Sequence, residues 1–260
     1  MTNVRTVSET KRAFHAAHTR PINSVYRRVV EELMVEMHLL EVGTNFAYSP
    51  VYALGVVTTY DRFMAGYKPE SDRDSIFAAL CNSASQTNHQ QYRDDATALL
   101  NAAKELSSDT LNAVFSGEAS NEGPTQVLGN AVKSHLDGTA TKYTRLLGIG
   151  LFTLLETCDS ELVQDSDKLA ERLTVICEAL KLPNDKLTKD LDLYRSNLEK
   201  LAMAQETMKD VLEAERKQRE QRAKAREEKK AKAEATSSEA VTAGDTAPSE
   251  TTTEPSADGE

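Results

Sequence analysis

The chain has 260 residues and a formal net charge of −10, with 41 acidic residues against 31 lysines and arginines. Such an acidic chain is a poor general nucleic-acid binder, because phosphate recognition relies on clustered lysine and arginine, so we expect no nucleic-acid partner. Its longest uninterrupted apolar run, residues 146–152, is far too short to span a bilayer. No signal peptide or transit extension is recognised in the sequence.

Two helices are predicted at the start of the chain. Thr6 and Glu9 have the spacing of a capping box, which predicts that a first helix begins at Val7. Pro21 ends or bends that helix, because proline lacks an N–H group and clashes with the preceding turn. A second helix is predicted over 22–41, and its apolar residues are spaced to form one buried face: Ile22, Val25, Tyr26, Val29, Val30, Leu33, Met34, Met37 and Leu40.

The middle of the chain also has helical character. Ser49 and Pro50 suit the N-cap and first position of a third helix, predicted over 51–65. That stretch is apolar nearly all round, so we expect it at the centre of a bundle. Its Val, Thr and Tyr content makes a buried strand the competing interpretation, and its length favours a helix. Further helices are predicted at about 70–85, 89–106, 108–116, 125–136, 141–158 and 166–181, with a loop at 117–124.

A heptad seam follows Pro183, with apolar residues spaced alternately four and three apart. Its members are Leu187, Leu191, Tyr194, Leu198, Leu201, Gln205, Met208 and Leu212. The spacing suits a coiled-coil arm that pairs with another chain, or a long helix packed against its own domain. The second interpretation is preferred, because the seam barely reaches the length at which a coiled coil can be assigned.

The predicted fold class is all-α: a single multi-helix, bundle-like domain with a long C-terminal helix and a disordered acidic tail. The helical domain spans 1–186, the long helix 187–234 and the tail 235–260. Beyond Leu212 the helix carries nine bases and six acids over 213–234, which is typical of a solvated helix. The tail is rich in Ser, Thr, Pro and Glu, a composition typical of disorder.

The N-terminal end is basic although the chain is acidic, since residues 1–30 carry a net charge of +5. Its candidate partner-binding residues are Arg12, Arg20, Arg27 and Arg28. Such charges could contact an anionic partner or an anionic membrane surface. They could equally be the ordinary solvated charges of two helices.

No catalytic constellation is found in the sequence. A di-iron carboxylate site in a helical bundle needs Glu-x-x-His on two helices, and no histidine here has a glutamate three residues before it. His15 and His18 are spaced to face one metal ion on a helix. No third ligand is identifiable, and Arg12 and Arg20 flank the pair. A metal-dependent enzyme using His15 and His18 is therefore only an alternative.

Other reactive motifs are also missing from the sequence. Cys81, Cys158 and Cys177 lie far apart without a CxxC motif, so we expect small buried residues in a reducing compartment. Neither a P-loop nor a dinucleotide-binding glycine motif is present. The GIG at 148–150 lies in an apolar helical run, where close helix packing explains it better than phosphate binding. The sequence thus predicts a protein that is not an enzyme and needs no cofactor.

Three stretches of the N-terminal half carry a family resemblance: TVSETKRAFHAAHTRPINSVYRRVVEELMVEMHLLEVG (6–43), PVYALGVVTTYDRFMAGYKPESDRDSIFAALCNSA (50–84) and HQQYRDDATALL (89–100). They resemble the thylakoid-formation family, the photosystem II biogenesis proteins of cyanobacteria and plastids. The resemblance weakens beyond residue 101. The matching motif residues are Arg12, Arg20, Pro21, Asn23, Tyr26, Arg27, Arg28, Glu31, Glu32, Tyr60, Asp61, Arg62, Phe63 and Gly66.

The resemblance implies a non-enzymatic auxiliary factor in thylakoid membrane biogenesis and photosystem II assembly and repair. It implies action through the thylakoid FtsH protease complex and contact with photosystem II or its assembly intermediates. The implied location is the cytoplasmic face of the thylakoid membrane, peripheral or soluble, in a cyanobacterium. The alternative is a peripheral protein that binds the anionic thylakoid membrane and acts on its lipid organisation. Tyr26, Tyr60 and Phe63 are expected to pack, which leaves the four arginines as surface candidates.

Overall fold

The structure, a computed structural model, describes residues 5–44, 46–120, 122–137 and 143–241, with side chains described as far as 227. Within these ranges the chain forms ten α-helices, one short 3-10 helix (Leu162–Gln164) and no strand. The α-helices are α1 Val7–Ala17, α2 Ser24–Glu41, α3 Pro50–Phe63, α4 Asp72–Ala84, α5 His89–Lys104, α6 Ser108–Phe115, α7 Gly123–Leu136, α8 Arg145–Cys158, α9 Ser166–Ala179 and α10 Asn184–Val241. The all-α prediction is confirmed, and the strand interpretation of residues 51–65 is wrong.

The capping residues named from the sequence mark the starts of α1 and α3, whereas α2 begins at Ser24, two residues later than predicted. Thr6 accepts a hydrogen bond from the Glu9 backbone N–H, and Glu9 accepts one from Thr6 in return, which completes the capping box of α1. Asn23 caps α2 through the N–H of Val25. Ser49 caps α3 in the same way, with Pro50 in its first turn. Thr6 and Ser49 therefore mark the starts of α1 and α3 as predicted.

Helix α3 lies at the centre of the fold, packed mainly against α8 and α5. Every residue from Val51 to Tyr60 is buried, as its all-round apolar sequence predicts. Helices α3 and α8 approach closely through two glycines. A methyl group added at Gly55 would overlap the carbonyl oxygen of Leu146, and one added at Gly150 would overlap that of Val51. The prediction that the GIG stretch serves helix packing is confirmed.

The C-terminal helix α10 begins within the main domain. The described chain divides into two units, the first ending at Met203 and the second beginning at Ala204. Within the first unit the seam residues Leu187, Leu191, Tyr194 and Leu201 are buried, so this part of the seam packs against its own domain. Helix α10 continues through 235–241, where disorder was predicted. The rest of the predicted tail, 242–260, lies outside the described residues.

None of the helices in the described ranges combines the length and apolar character needed to cross a membrane.

One buried histidine makes stability depend on pH. His135 in α7 is 6% exposed, and neither ring nitrogen has a hydrogen-bond partner among the described residues. Burial lowers its pKa below the ordinary 6.5, since desolvation disfavours the charged ring. In the unfolded chain the ring takes up a proton near its ordinary pKa. The unfolded state therefore gains protons first as pH falls, and the folded state loses stability below about pH 6.5.

When the pH falls from about 7.5 to about 5.5, we expect the free energy of unfolding to decrease less in His135→Leu than in the parent protein. The measurement is the free energy of unfolding in urea at both pH values. His18 is also buried with a lowered pKa, so part of the dependence will remain in His135→Leu. An unchanged pH dependence in His135→Leu would contradict this assignment.

Candidate functional site on helices α1 and α2

The four candidate arginines lie on α1, on α2 and in the connection between them, and all four are exposed. Their helices turn an apolar face to the core, where Phe14, Val30, Met34 and Met37 are buried. The same periodicity leaves the basic residues outside, as the amphipathic pattern predicts. Partner binding by these residues remains a prediction.

Arg20 is held by an ion pair to a distant helix. Its guanidinium lies 2.5 Å from the carboxylate of Asp72, the first residue of α4, whose side chain is only 7% exposed. His18 lies nearby and hydrogen-bonds to Ser75 of α4 over 3.0 Å. Burial lowers the pKa of His18, while the charge of Asp72 opposes that shift. Arg20 thus neutralises a buried carboxylate, a structural role that its position in the sequence does not reveal.

Arg27 and Arg28 face carboxylates on their own helix. Arg28 lies 2.9 Å from Glu32, and Arg27 lies 3.9 Å from Glu31, both in i,i+4 pairs. Lys11 of α1 contacts the same Glu31 over 3.3 Å. Such exposed pairs contribute little to stability, about 0.3–0.5 kcal/mol each. Their importance here is electrostatic, because each neutralises part of the positive field that the sequence suggested.

Arg12 differs from the other three candidates. It forms no ion pair with any described residue, and it lines a shallow depression of about 450 Å³ together with Arg5, Glu9, Ala13 and Ala16. Arg5 itself donates a hydrogen bond to the carbonyl oxygen of Ser83 over 2.8 Å. Of the four candidates, Arg12 therefore has the charge most available to a partner.

A larger groove of about 920 Å³ lies beside the arginines. Its lining is Lys11, Ser24, Arg27, Arg28, Glu31, Glu32, Val35, Glu36, Leu39, Leu40 and Arg145. Leu39 is 56% exposed, an unusual state for a large apolar side chain in the middle of a helix-lined groove. Arg145 of α8 forms an ion pair with Glu36 and closes one wall. We call this surface the α2 groove.

Sequence reasoning missed the α2 groove because its parts are far apart in the chain. Glu36 and Arg145 are separated by 109 residues, and nothing local to either predicts their contact. Leu39 is an apolar residue outside the predicted buried face of α2. That position was the only feature of the sequence that indicated an exposed apolar side chain. The periodicity of α2 therefore indicated one wall of the groove, while the opposite wall depends on the packing of α8.

The structure does not assemble the alternative metal site. His15 is exposed and stacks edge-on against Phe14, whereas His18 is buried against Ser75. Across the described residues no group of three or more His, Cys, Asp or Glu side chains is arranged to hold a metal ion. The two histidines thus lie in different environments, His15 exposed on α1 and His18 buried at its C-terminal end.

The three cysteines are free thiols in apolar or half-buried surroundings. Burial raises the pKa of Cys81 to about 12 and those of Cys158 and Cys177 to about 11. A thiol with a raised pKa is a poor nucleophile at neutral pH, because the thiolate is the reactive form. Cys81 and Cys177 are buried, as predicted, and Cys158 donates a hydrogen bond to the carbonyl oxygen of Ala103.

The YDRF block at the end of α3 contacts four other helices. Tyr60 donates a hydrogen bond to the carbonyl oxygen of Arg73 in α4 over 2.6 Å. Asp61 lies 2.5 Å from Arg93 of α5, and Arg62 pairs with Glu156 of α8. The Phe63 ring lies 5.8 Å from the Tyr194 ring of α10. These four residues therefore hold the fold together, and packing is confirmed for Tyr60 and Phe63.

Comparisons with known proteins cover most of the chain. The sequence model of a family described as "Thylakoid formation protein" matches residues 6–223. Protein Thf1 of Nostoc punctiforme is 53% identical over 222 residues, which is 85% of this chain and 94% of that protein. Protein Thf1 of Trichormus variabilis is 52% identical over 221 residues, covering 84% and 93% of the two chains. A solved structure of Psb29 superposes with a TM-score of 0.62 at 44% identity, covering 76% of this chain and 98% of that one.

Proposed function

Because the chain belongs to the thylakoid formation protein family, we propose that it is a non-enzymatic adaptor acting through the thylakoid FtsH protease complex. It supports photosystem II assembly and repair from the cytoplasmic face of the membrane. The family match over residues 6–223 is the observation that carries the proposal. The family itself acts in thylakoid formation and photosystem II biogenesis.

The α2 groove supports a protein partner. Protein interfaces combine an apolar centre with a polar rim, and large exposed apolar side chains mark such surfaces. Here Leu39, with Val35 and Leu40 beside it, provides the apolar centre. Four cations and three carboxylates form the rim, which suits a partner with mixed charges of its own.

The same geometry gives less support to membrane attachment through the basic N-terminal end. Adsorption to an anionic bilayer depends on cations that are free to face the lipid, each contributing about 1 kcal/mol. Arg20, Arg27 and Arg28 each lie beside a carboxylate instead. A protein surface, which can offer acids and bases in register, fits this face better than a uniformly anionic plane.

Deletion of the protein is expected to lower the amount of FtsH complex and to slow photosystem II recovery after strong light. Complementation with Leu39→Glu should fail to restore either, because a charge at the centre of the groove prevents burial of that surface. The measurements are FtsH complex abundance on native gels and the recovery of photosystem II activity.

Val175→Glu is the matched control, since Val175 is 44% exposed on α9 and lies outside the α2 groove. It should restore both readouts at normal protein levels. Unchanged FtsH complex and recovery in the deletion strain would refute the proposed function. Full complementation by Leu39→Glu would refute the groove as the docking surface while leaving the function in place.

A further inference from the structure

The second unit carries a stripe of arginines on one side of α10. Arg219, Arg222 and Arg226 are all exposed, and none forms an ion pair with a described residue. At 3.6 residues per turn the three lie within about 60° of one another around the helix, along about 10 Å of its length. We call them the α10 stripe. In the sequence Lys229 and Lys230 follow at the same spacing.

Two acids of this segment, Glu220 and Glu227, lie on the opposite side. Glu220 and Glu227 are about 160° and about 140° around the helix from Arg222. Glu220 is occupied by Arg216, whose Nε lies 3.1 Å from its carboxylate. Glu215 lies in line with the stripe, one turn before Arg219, and marks its N-terminal end. Between Arg216 and Glu227 the side of the stripe therefore carries cations without acids, whereas the opposite side carries both signs, with Lys217 and Lys224 beside Glu220 and Glu227.

Apolar residues precede the stripe on the same side. Val211 and Leu212 are 52% and 60% exposed, and they lie about 20° and about 80° around the helix from Arg222. Exposed cations without a carboxylate partner attract an anionic bilayer, and the two exposed apolar side chains beside them add a small apolar area that its surface can bury. There the apolar side chains enter the headgroup boundary and the cations meet anionic headgroups.

We propose that α10 binds an anionic lipid bilayer through the α10 stripe, with Val211 and Leu212 at the boundary. A planar anionic surface requires only cations along one side of the helix. A partner protein helix would require acids in register, and apolar residues at the seam positions that Arg219, Arg222 and Arg226 occupy instead. The α10 stripe shares no residue with the α2 groove, and the proposal does not depend on the FtsH partner.

The test is co-sedimentation of the full-length protein with vesicles containing phosphatidylglycerol, and with vesicles of phosphatidylcholine alone. We expect binding to the anionic vesicles only, weakening as salt screens the charges. Replacing the stripe, Arg219→Glu with Arg222→Glu and Arg226→Glu, should lower the partition coefficient by at least about a hundredfold. The corresponding triple glutamine variant should lose most of the same binding.

The matched control reverses three cations that do not belong to the stripe, Arg216→Glu, Lys217→Glu and Lys224→Glu, of which Lys217 and Lys224 lie on the opposite side of the helix. The control changes the net charge by the same amount as the stripe variant. Because it keeps Arg219, Arg222 and Arg226, it should bind anionic vesicles much more tightly than the stripe variant. Circular dichroism verifies that helix content is unchanged in each protein. Absence of parent binding to anionic vesicles would overturn the proposal. Equal losses in the stripe and control variants would also overturn it, since binding would then depend on net charge alone.

Discussion

Gly150→Ala is expected to lower the free energy of unfolding by about 3 kcal/mol, the upper end of the usual cost of overpacking. The added methyl group would overlap the Val51 carbonyl oxygen. That oxygen belongs to the backbone of α3 and cannot rotate away, so α3 and α8 must separate. Gly55→Ala acts on the same interface from the other helix, where it meets the carbonyl oxygen of Leu146. Urea unfolding followed by circular dichroism gives the measurement.

Gly129→Ala provides the matched control, because a methyl group there meets nothing within 4 Å. In the middle of α7 the same substitution should raise stability by up to about 1 kcal/mol, through helix propensity alone. The two variants thus make one chemical change with opposite expected signs. A stability gain in Gly150→Ala would show that the two helices are not held at contact distance by their glycines.

Asp61→Ala is expected to cost about 2 kcal/mol of folding free energy. Its carboxylate lies 2.5 Å from Arg93 and 3.9 Å from Arg73, whose side chains are 27% and 26% exposed. Removing one partner of a buried pair costs about 3–5 kcal/mol, and the partial exposure of Asp61 reduces that figure. Arg93 also lies 4.2 Å from the centre of the Phe77 ring, so its position influences packing in α4.

Glu70→Ala is the control for Asp61→Ala. Glu70 contacts Arg73 at 4.0 Å and Lys68 at 3.7 Å, but its side chain is 73% exposed. Its loss should cost no more than about 0.5 kcal/mol. A double variant, Asp61→Ala with Arg93→Ala, should cost less than the sum of the single changes, because the two share one interaction. Strict additivity would mean that the pair contributes nothing specific.

Local signals in the sequence account for much of the fold. Capping residues such as Thr6 and Ser49 act within one helical turn, so the starts of α1 and α3 could be read directly. The pairs of Arg27 and Arg28 with Glu31 and Glu32 also follow from i,i+4 spacing. Helix periodicity likewise placed the apolar face of α2 in the core.

Contacts between distant helices could not be predicted in this way. The Arg20–Asp72 pair joins residues 52 apart, and its existence depends on how α4 packs beside α1. The α2 groove needs Arg145, brought in by α8. A single sequence contains no signal for such pairs, because many arginines and carboxylates are equally eligible. The net charge of a surface therefore could not be predicted before the packing that pairs its arginines with carboxylates was known.

The YDRF block gives the first unit a particular kind of cooperativity. Tyr60, Asp61, Arg62 and Phe63 each contact a different helix, so one turn of α3 joins α4, α5, α8 and α10. Fraying of that turn of α3 breaks four tertiary contacts together. Each of the four neighbouring helices therefore loses its contact with the turn at the same time as the other three. Backbone amides in the parts of these helices that belong to the first unit should therefore exchange with solvent through a shared opening event, with similar opening free energies, although they are widely separated along the chain.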